Sequence, residues 1–318
     1  MSVRNIVVAF DGTSNKPDLN DEGVNSSSNV YKFKQALKNK RSKPTRCIYV
    51  QGVGTKYGEH ILGNAFGKGL ESRIQQVYRN LQNLLTDGKF EENKIFIIGF
   101  SRGAYSARRL AALLCYSGIP KNIKDWTTGW DNFILQNLNA AELKQSGVFL
   151  DVKIKMIGVW DTVKAMPNRS DFHDNKLPAN VEFAYHAMSI DEKRKQFQVL
   201  KWNKNNKVKQ LWFPGVHSNV GGGYADKGLS DIALKWIIDC ACQHGLEFKS
   251  SYIDSNVNPD TQGTLVDSLK GWMFGSTTRK ISQFDILHPS VKERMDSDNS
   301  YRPCNLPENP VYCDENFV

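Results

Sequence analysis

Short apolar runs separated by longer segments of helical period set the pattern of this chain. Asn5–Phe10 (NIVVAF), Arg46–Val50 (RCIYV) and Lys94–Ile98 (KIFII) are rich in β-branched residues and too short for helices. They predict strands buried on both faces. Between them, Val30–Asn39 and Gly67–Leu85 repeat apolar residues at helical spacing, with Leu70, Ile74, Val77, Leu81 and Leu84 of the second on one face. Further on, Val152–Val159 alternates like a strand and Lys209–Pro214 (KQLWFP) predicts another. Asp231–His244 predicts a helix stopped by Gly245. Strands alternating with helices predict an α/β fold with a doubly wound, mostly parallel sheet. In such a sheet the active site lies beyond the carboxyl ends of the strands.

Three stretches do not fit this alternation: 119–147 with Trp126, Trp130 and Phe133, 164–207 with Phe172, Phe183, Tyr185 and Phe197, and 247–281 with Gly271-Trp272-Met273-Phe274-Gly275. They read as lid or pocket insertions at the functional edge of a single domain, 1–318.

The most informative motif is Gly99-Phe100-Ser101-Arg102-Gly103. It follows the KIFII strand and precedes SARRLAALLCY, which has helical spacing. A strand, then G-x-S-x-G, then a helix is the context of a nucleophile elbow. The glycines permit the tight turn, and the serine stands at a helix N-terminus, where free N–H groups favour negative charge. Serine chemistry needs a base and an orienting carboxylate. Of three histidines after Ser101 at plausible element ends, His217 follows a strand directly and is trailed by glycines (GVHSNVGGG). His186 falls in an expected helix and His288 precedes a proline. For the acid, Asp161 ends the Val152–Val159 strand region, with Asp191, Asp226 and Asp231 as rivals. The oxyanion hole is expected from the Arg102 N–H and from the loop after the first strand, at Gly12 and Thr13. Asp11 in that loop could bond N–H groups across the strand ends. The Gly52-Val53-Gly54-Thr55 loop lacks phosphate-loop spacing and reads as a pocket wall.

At 318 residues, 40% hydrophobic and 24% charged, the chain can bury a sizeable core. No apolar run approaches the roughly 18 residues that span a bilayer, and the first strand is too short for a signal-peptide core. The expectation is synthesis in the cytoplasm, with any export independent of such a signal. Six cysteines have neither zinc-site spacing nor a disulfide framework. No metal and no cofactor is expected. The net charge of +9 favours polyanions. The lysines are scattered and no nucleic-acid motif accompanies them, so an anionic membrane surface is preferred over nucleic acid. The aromatics of 119–147 and 247–281 are the candidates to meet it.

FDGTSN, GVGTKYG, GFSRGAYSARRLA, GVWDTV, HAMSIDEKR and WFPGVHSNVGGGY occur in this order. The set resembles the bacterial and fungal α/β-hydrolase family of type VI secretion lipase effectors, from Asp11 to about His288. The resemblance implies a serine esterase fold, phospholipase A activity, and Ser101, Asp161 and His217 as nucleophile, acid and base. It also implies a phospholipid or membrane-surface substrate, a secretion-apparatus component and a cognate immunity protein as partners, and an antibacterial role. Only one strand is expected between the elbow and the strand before His217, fewer than usual in such hydrolases. The rival readings are a soluble carboxylesterase or acyl transferase with the same triad, and a non-catalytic hydrolase-like binding module.

Overall fold

The computed structural model describes residues 2–13, 15, 20–52, 64–135, 140–165 and 175–314. Eight strands form one sheet: β1 (Val3–Phe10), β2 (Thr45–Val50), β3 (Glu92–Phe100), β4 (Ile154–Trp160), β5 (Val181–Ser189), β6 (Val208–Phe213), β7 (Ile286–Leu287) and β8 (Val311–Tyr312). Their spatial order is β8-β7-β6-β5-β4-β3-β1-β2, and every neighbouring pair is parallel. The chain runs outward from β1 to β2, then crosses back to place β3 on the other side of β1. The topological switch point therefore lies between β1 and β3, where such sheets open a crevice.

Helices cover both faces: α1 (Asn29–Ala36), α2 (Asn64–Leu85), α3 (Arg102–Ser117), α4 (Trp126–Leu135), α5 (Ala140–Gln145), α6 (His217–Gly221), α7 (Gly228–Gln243), α8 (Ser250–Asn256) and α9 (Pro289–Ser297). The two-residue period of the strands sorts the core. Ile6, Val8, Ile95 and Ile97 point to the side where Leu70, Ile74, Val77 and Leu81 of α2 and Leu110 and Leu113 of α3 pack. Val7, Ala9, Phe96 and Ile98 point the other way, to Val30 and Phe33 of α1 and Ile237 and Ile238 of α7. This is the doubly wound α/β fold that the alternating pattern predicts.

Several expectations change. Two sheet strands, β4 and β5, lie between the elbow strand and β6, where one was expected. The additional strand β5 sits inside 164–207, so that stretch is partly core. Its polar residues disguised it: His186 and Ser189 are fully buried in VEFAYHAMS. His186 therefore stands on a strand, not a helix. In 119–147, α3 first carries the chain about 24 Å away from the elbow. There Trp130 and Phe133 are buried beside α3, and Trp126 is half-buried. All six cysteines are free thiols. Residues 53–63, with most of GVGTKYG and Val53, Gly54 and Thr55 of the expected pocket wall, lie outside the described residues, as do 136–139 and 166–174 of the first two insertions.

Candidate active site

The carboxyl ends of β3, β4 and β6 bring Ser101, Asp161 and His217 together. Ser101 sits at φ 58° and ψ −127°, immediately before α3. Glycine is required on both sides of it. A Cβ at Gly99 would come within 2.7 Å of the Gly103 carbonyl oxygen, and one at Gly103 within 2.4 Å of the Phe10 and Asp11 carbonyl oxygens. Side chains there would push α3 off β3 and β1. The Ser101 hydroxyl makes no helix-capping bond. It lies instead 2.7 Å from His217 Nε2.

His217 is the first residue of α6, in a turn held from below by Asp191. That carboxylate accepts the Gly215 N–H at 2.7 Å and the Tyr301 hydroxyl at 2.8 Å. The His217 Nδ1 lies 2.5 Å from Asp161 Oδ2. With Nδ1–H donating to Asp161, Nε2 is left to accept from Ser101. Phe100 and Phe197 flank the imidazole at ring-centroid distances of 4.7 and 4.9 Å. Burial pushes the His217 pKa down, and the bond and charge of Asp161 recover part of that loss. The ring is thus biased toward its neutral, proton-accepting form.

Asp161 is fully buried at φ 41°, a left-handed conformation that aspartate adopts more readily than most residues. Its carboxylate receives four donors besides His217. Ser189 gives its N–H at 2.9 Å and its hydroxyl at 3.2 Å, and Arg279 donates from Nη1 at 2.6 Å and from Nη2 at 2.8 Å. Burial alone would raise this carboxyl's pKa. The Arg279 charge and the hydrogen bonds from His217 and Arg279 outweigh it and hold the group ionised, well below the usual carboxylate range. Behind the turn, the Thr162 N–H donates to His186 Nε2 at 3.0 Å. Burial pushes His186 down to about 3, so this histidine is a neutral prop for the turn that carries Asp161.

The rival residues have other work. Asp231 is buried in an ion pair with Lys32 at 2.6 Å. Asp226 accepts the N–H groups of Gly228 and Thr264. His288 caps α9 by accepting the Ser290 N–H, and burial takes it down to about 4. Arg102 opens α3, as the oxyanion expectation requires. Gly12 departs from that expectation, because its N–H donates to Asp11 Oδ1 at 2.7 Å. Asp11 Oδ2 accepts from Ser28 and Tyr49, so this residue braces the strand ends. Thr13, Arg102 and Gly103 border a crevice of about 20 Å³ at the switch point. Among the described residues, no group of three or more His, Cys, Asp or Glu could hold a metal ion. No helix among them is long and apolar enough to cross a membrane.

Nothing in the sequence marks Arg279. It lies in an irregular stretch with no local signal, yet is buried to 1% exposure. The HAMSIDEKR segment did carry a signal, without roles for its members. Ser189 grips Asp161, while Glu192 accepts the His217 N–H at 3.2 Å and pairs with Arg194 at 2.8 Å. Burial raises Glu192 but the Arg194 bonds lower it further, so its net shift is downward.

Comparison with known proteins adds the family. An uncharacterised protein of Saccharomyces cerevisiae is 26% identical over 231 residues, covering 63% of this chain and 33% of its own length. The crystal structure of an uncharacterized protein from Pseudomonas aeruginosa superposes with a TM-score of 0.56 at 19% identity, over 81% of this chain and 49% of that one. It shares the fold. The Tle1 effector bound to the VgrG spike of the type 6 secretion system aligns with a TM-score of 0.43 at 18% identity, over 70% of this chain and 52% of that one. This chain thus spans about a third to a half of the length of these relatives. The family described as "T6SS, Phospholipase effector Tle1-like, catalytic domain" matches residues 4–240, a span that includes Ser101, Asp161 and His217. The chain belongs to this Tle1-like phospholipase effector family.

Proposed function

We propose that the chain is a single-domain serine hydrolase that cleaves carboxylic esters of phospholipids, in the manner of a phospholipase A, through Ser101, His217 and Asp161. The observation that carries this reading is the unbroken relay from Ser101 Oγ to His217 Nε2 at 2.7 Å and from His217 Nδ1 to Asp161 at 2.5 Å. Ser101 Oγ attacks the ester carbonyl carbon as its proton passes to Nε2. The negative charge on the carbonyl oxygen falls to the N–H groups of Arg102 and Thr13, beside the N-terminus of α3. Collapse expels the alcohol, which takes the proton from His217 and leaves an acyl-enzyme. Water, deprotonated by His217, then attacks the acyl carbon, and the fatty acid departs as Ser101 recovers its proton. Asp161 keeps the imidazole in the required tautomer throughout. As an effector of its family, the protein would be delivered by a type VI secretion apparatus against rival bacteria, with a secretion component and a cognate immunity protein as partners.

Lipid mass spectrometry of membranes incubated with wild-type and Ser101→Ala protein tests the reading. The expected products are free fatty acid and lysophospholipid, absent with Ser101→Ala. A fluorophosphonate probe should label only the wild type. Diacylglycerol or phosphatidic acid as product would assign another bond. Turnover of short soluble esters alone would make the protein a soluble esterase.

A further inference from the structure

We propose that the loop 271–280 is a docking element for an anionic phospholipid bilayer, set beside the candidate active site; the choice of occupant rests on the lipolytic reading above. At its tip Met273 is 88% exposed and the adjacent Phe274 50% exposed. The backbone behind them is tied down. The Lys195 N–H donates to the Gly275 carbonyl at 3.2 Å, the Thr277 N–H to that of Lys193 at 2.7 Å, and Gln196 Nε2 to that of Phe274 at 2.9 Å. Two apolar side chains are therefore held out in water by a fixed frame, at a continuing hydrophobic cost.

The frame is continuous with the site. Phe274 meets Trp272 at 5.2 Å between ring centroids, Trp272 meets Phe197 at 5.8 Å, and Phe197 meets the His217 imidazole at 4.9 Å. At the far end of the loop, Arg279 is clamped to Asp161. A surface that touches the tip thus lies a few side chains from Ser101, at a fixed distance.

Charge selects the kind of surface. Lys193, Lys195, Lys270 and Lys280 are exposed, and within 191–196 and 267–280 Asp267 is the exposed carboxylate. The Lys195 side chain runs against Gly275 at the base of the tip. Two apolar side chains are far less than the roughly 800 Å² that a protein partner needs per side. Shallow insertion at the headgroup boundary, reinforced by lysines within a Debye length of anionic lipid, asks for no more than this.

The test uses the Ser101→Ala chain, so that vesicles stay intact. Sedimentation with phosphatidylcholine vesicles, with and without phosphatidylglycerol, should show binding that rises with the anionic lipid and weakens with salt. Adding Met273→Ser and Phe274→Ser should reduce the partition at least about tenfold. Adding Lys195→Gln should reduce it about fivefold. Both sites are exposed, and unchanged circular dichroism reports the fold. Quenching of tryptophan by brominated lipid should drop in Trp272→Phe. Absence of vesicle binding, or full binding by the Met273→Ser/Phe274→Ser variant, would overturn the proposal. Hydrolysis of a short soluble ester by the chain with Ser101 intact reads the catalytic proposal separately, so either can fail without the other.

Discussion

The elbow that carries Ser101 and the cradle that holds Asp161 lie at the ends of adjacent strands, yet they are assembled in opposite ways. Five consecutive residues, Gly99 to Gly103, contain what the elbow needs: two positions without Cβ, a serine between them and a helix start. The cradle draws on three separated segments. Asp161 directly follows β4, Ser189 ends β5, and Arg279 arrives from a loop 118 residues further on. Four donors besides His217 converge on one carboxylate. The difference shows that a serine hydroxyl can be presented by local backbone geometry, whereas a buried anion must be supplied with partners wherever the fold can reach them. It also shows what each design risks. Damage to the elbow is steric, and damage to the cradle is electrostatic.

The largest expected effect falls on both halves alike. Ser101→Ala and Asp161→Asn should each lower turnover by about 10³–10⁴-fold or more, because the three residues act as a unit in the proposed mechanism. Steady-state kinetics on a soluble ester measures this. A near-normal Asp161→Asn enzyme would move the acid elsewhere and dissolve the comparison.

Next comes a control on a second buried carboxylate. Asp231 is paired with Lys32 away from Ser101, and losing one partner of such a pair costs about 3–5 kcal/mol. Asp231→Asn should therefore melt much earlier in denaturant titration, while folded protein keeps its turnover within about twofold. Lost turnover with normal stability would reopen Asp231 as the acid.

Arg279→Gln sharpens the contrast most directly. It should lower kcat by about 10²-fold, through a misplaced His217, with little change in KM. Arg279→Lys should restore part of the loss by returning a cation without its fork. The pH profile separates positioning from mere structure. In the wild type, burial lowers the His217 pKa below its ordinary value. The proposed base is then neutral from neutral pH upward, and the rate should fall only below about pH 6.5. Without the Arg279 cation, the whole Asp161 charge faces a ring that already has Glu192 and Arg194 beside it. Protonated His217 is then favoured, and the acid limb should move to higher pH. An unmoved limb would reduce Arg279 to a packing residue.

The smallest effect is expected at His288. His288→Asn keeps an N-cap acceptor on α9 but loses the stacking on Phe213, whose ring lies 4.4 Å from the imidazole. About 1 kcal/mol of stability should go, with turnover intact. A dead variant would restore His288 as a rival base.

Much of the candidate site is legible in the sequence because its parts are local or periodic. Apolar runs marked β1, β2, β3, β4 and β6, and strand ends marked Asp161 and His217. The strand β5 escaped notice because His186 and Ser189 interrupt its apolar pattern. Both are polar residues whose burial is tolerable only through partners on other elements. The Gly12 N–H had looked available to an oxyanion until the adjacent Asp11 carboxylate took it.

By itself, then, the order of residues determined the α/β alternation, the elbow context of Ser101 and the strand-end places of the candidates His217 and Asp161, since steric turn requirements and strand-end positions are properties of short stretches. Tertiary structure alone decided which carboxylates were engaged elsewhere, that Arg279 closes on Asp161, that Trp130 is core while Met273 and Phe274 face water, and that β5 inserts between β4 and β6. Those outcomes depend on which distant groups can share a desolvated space, and burial becomes favourable or costly only once the partners have met.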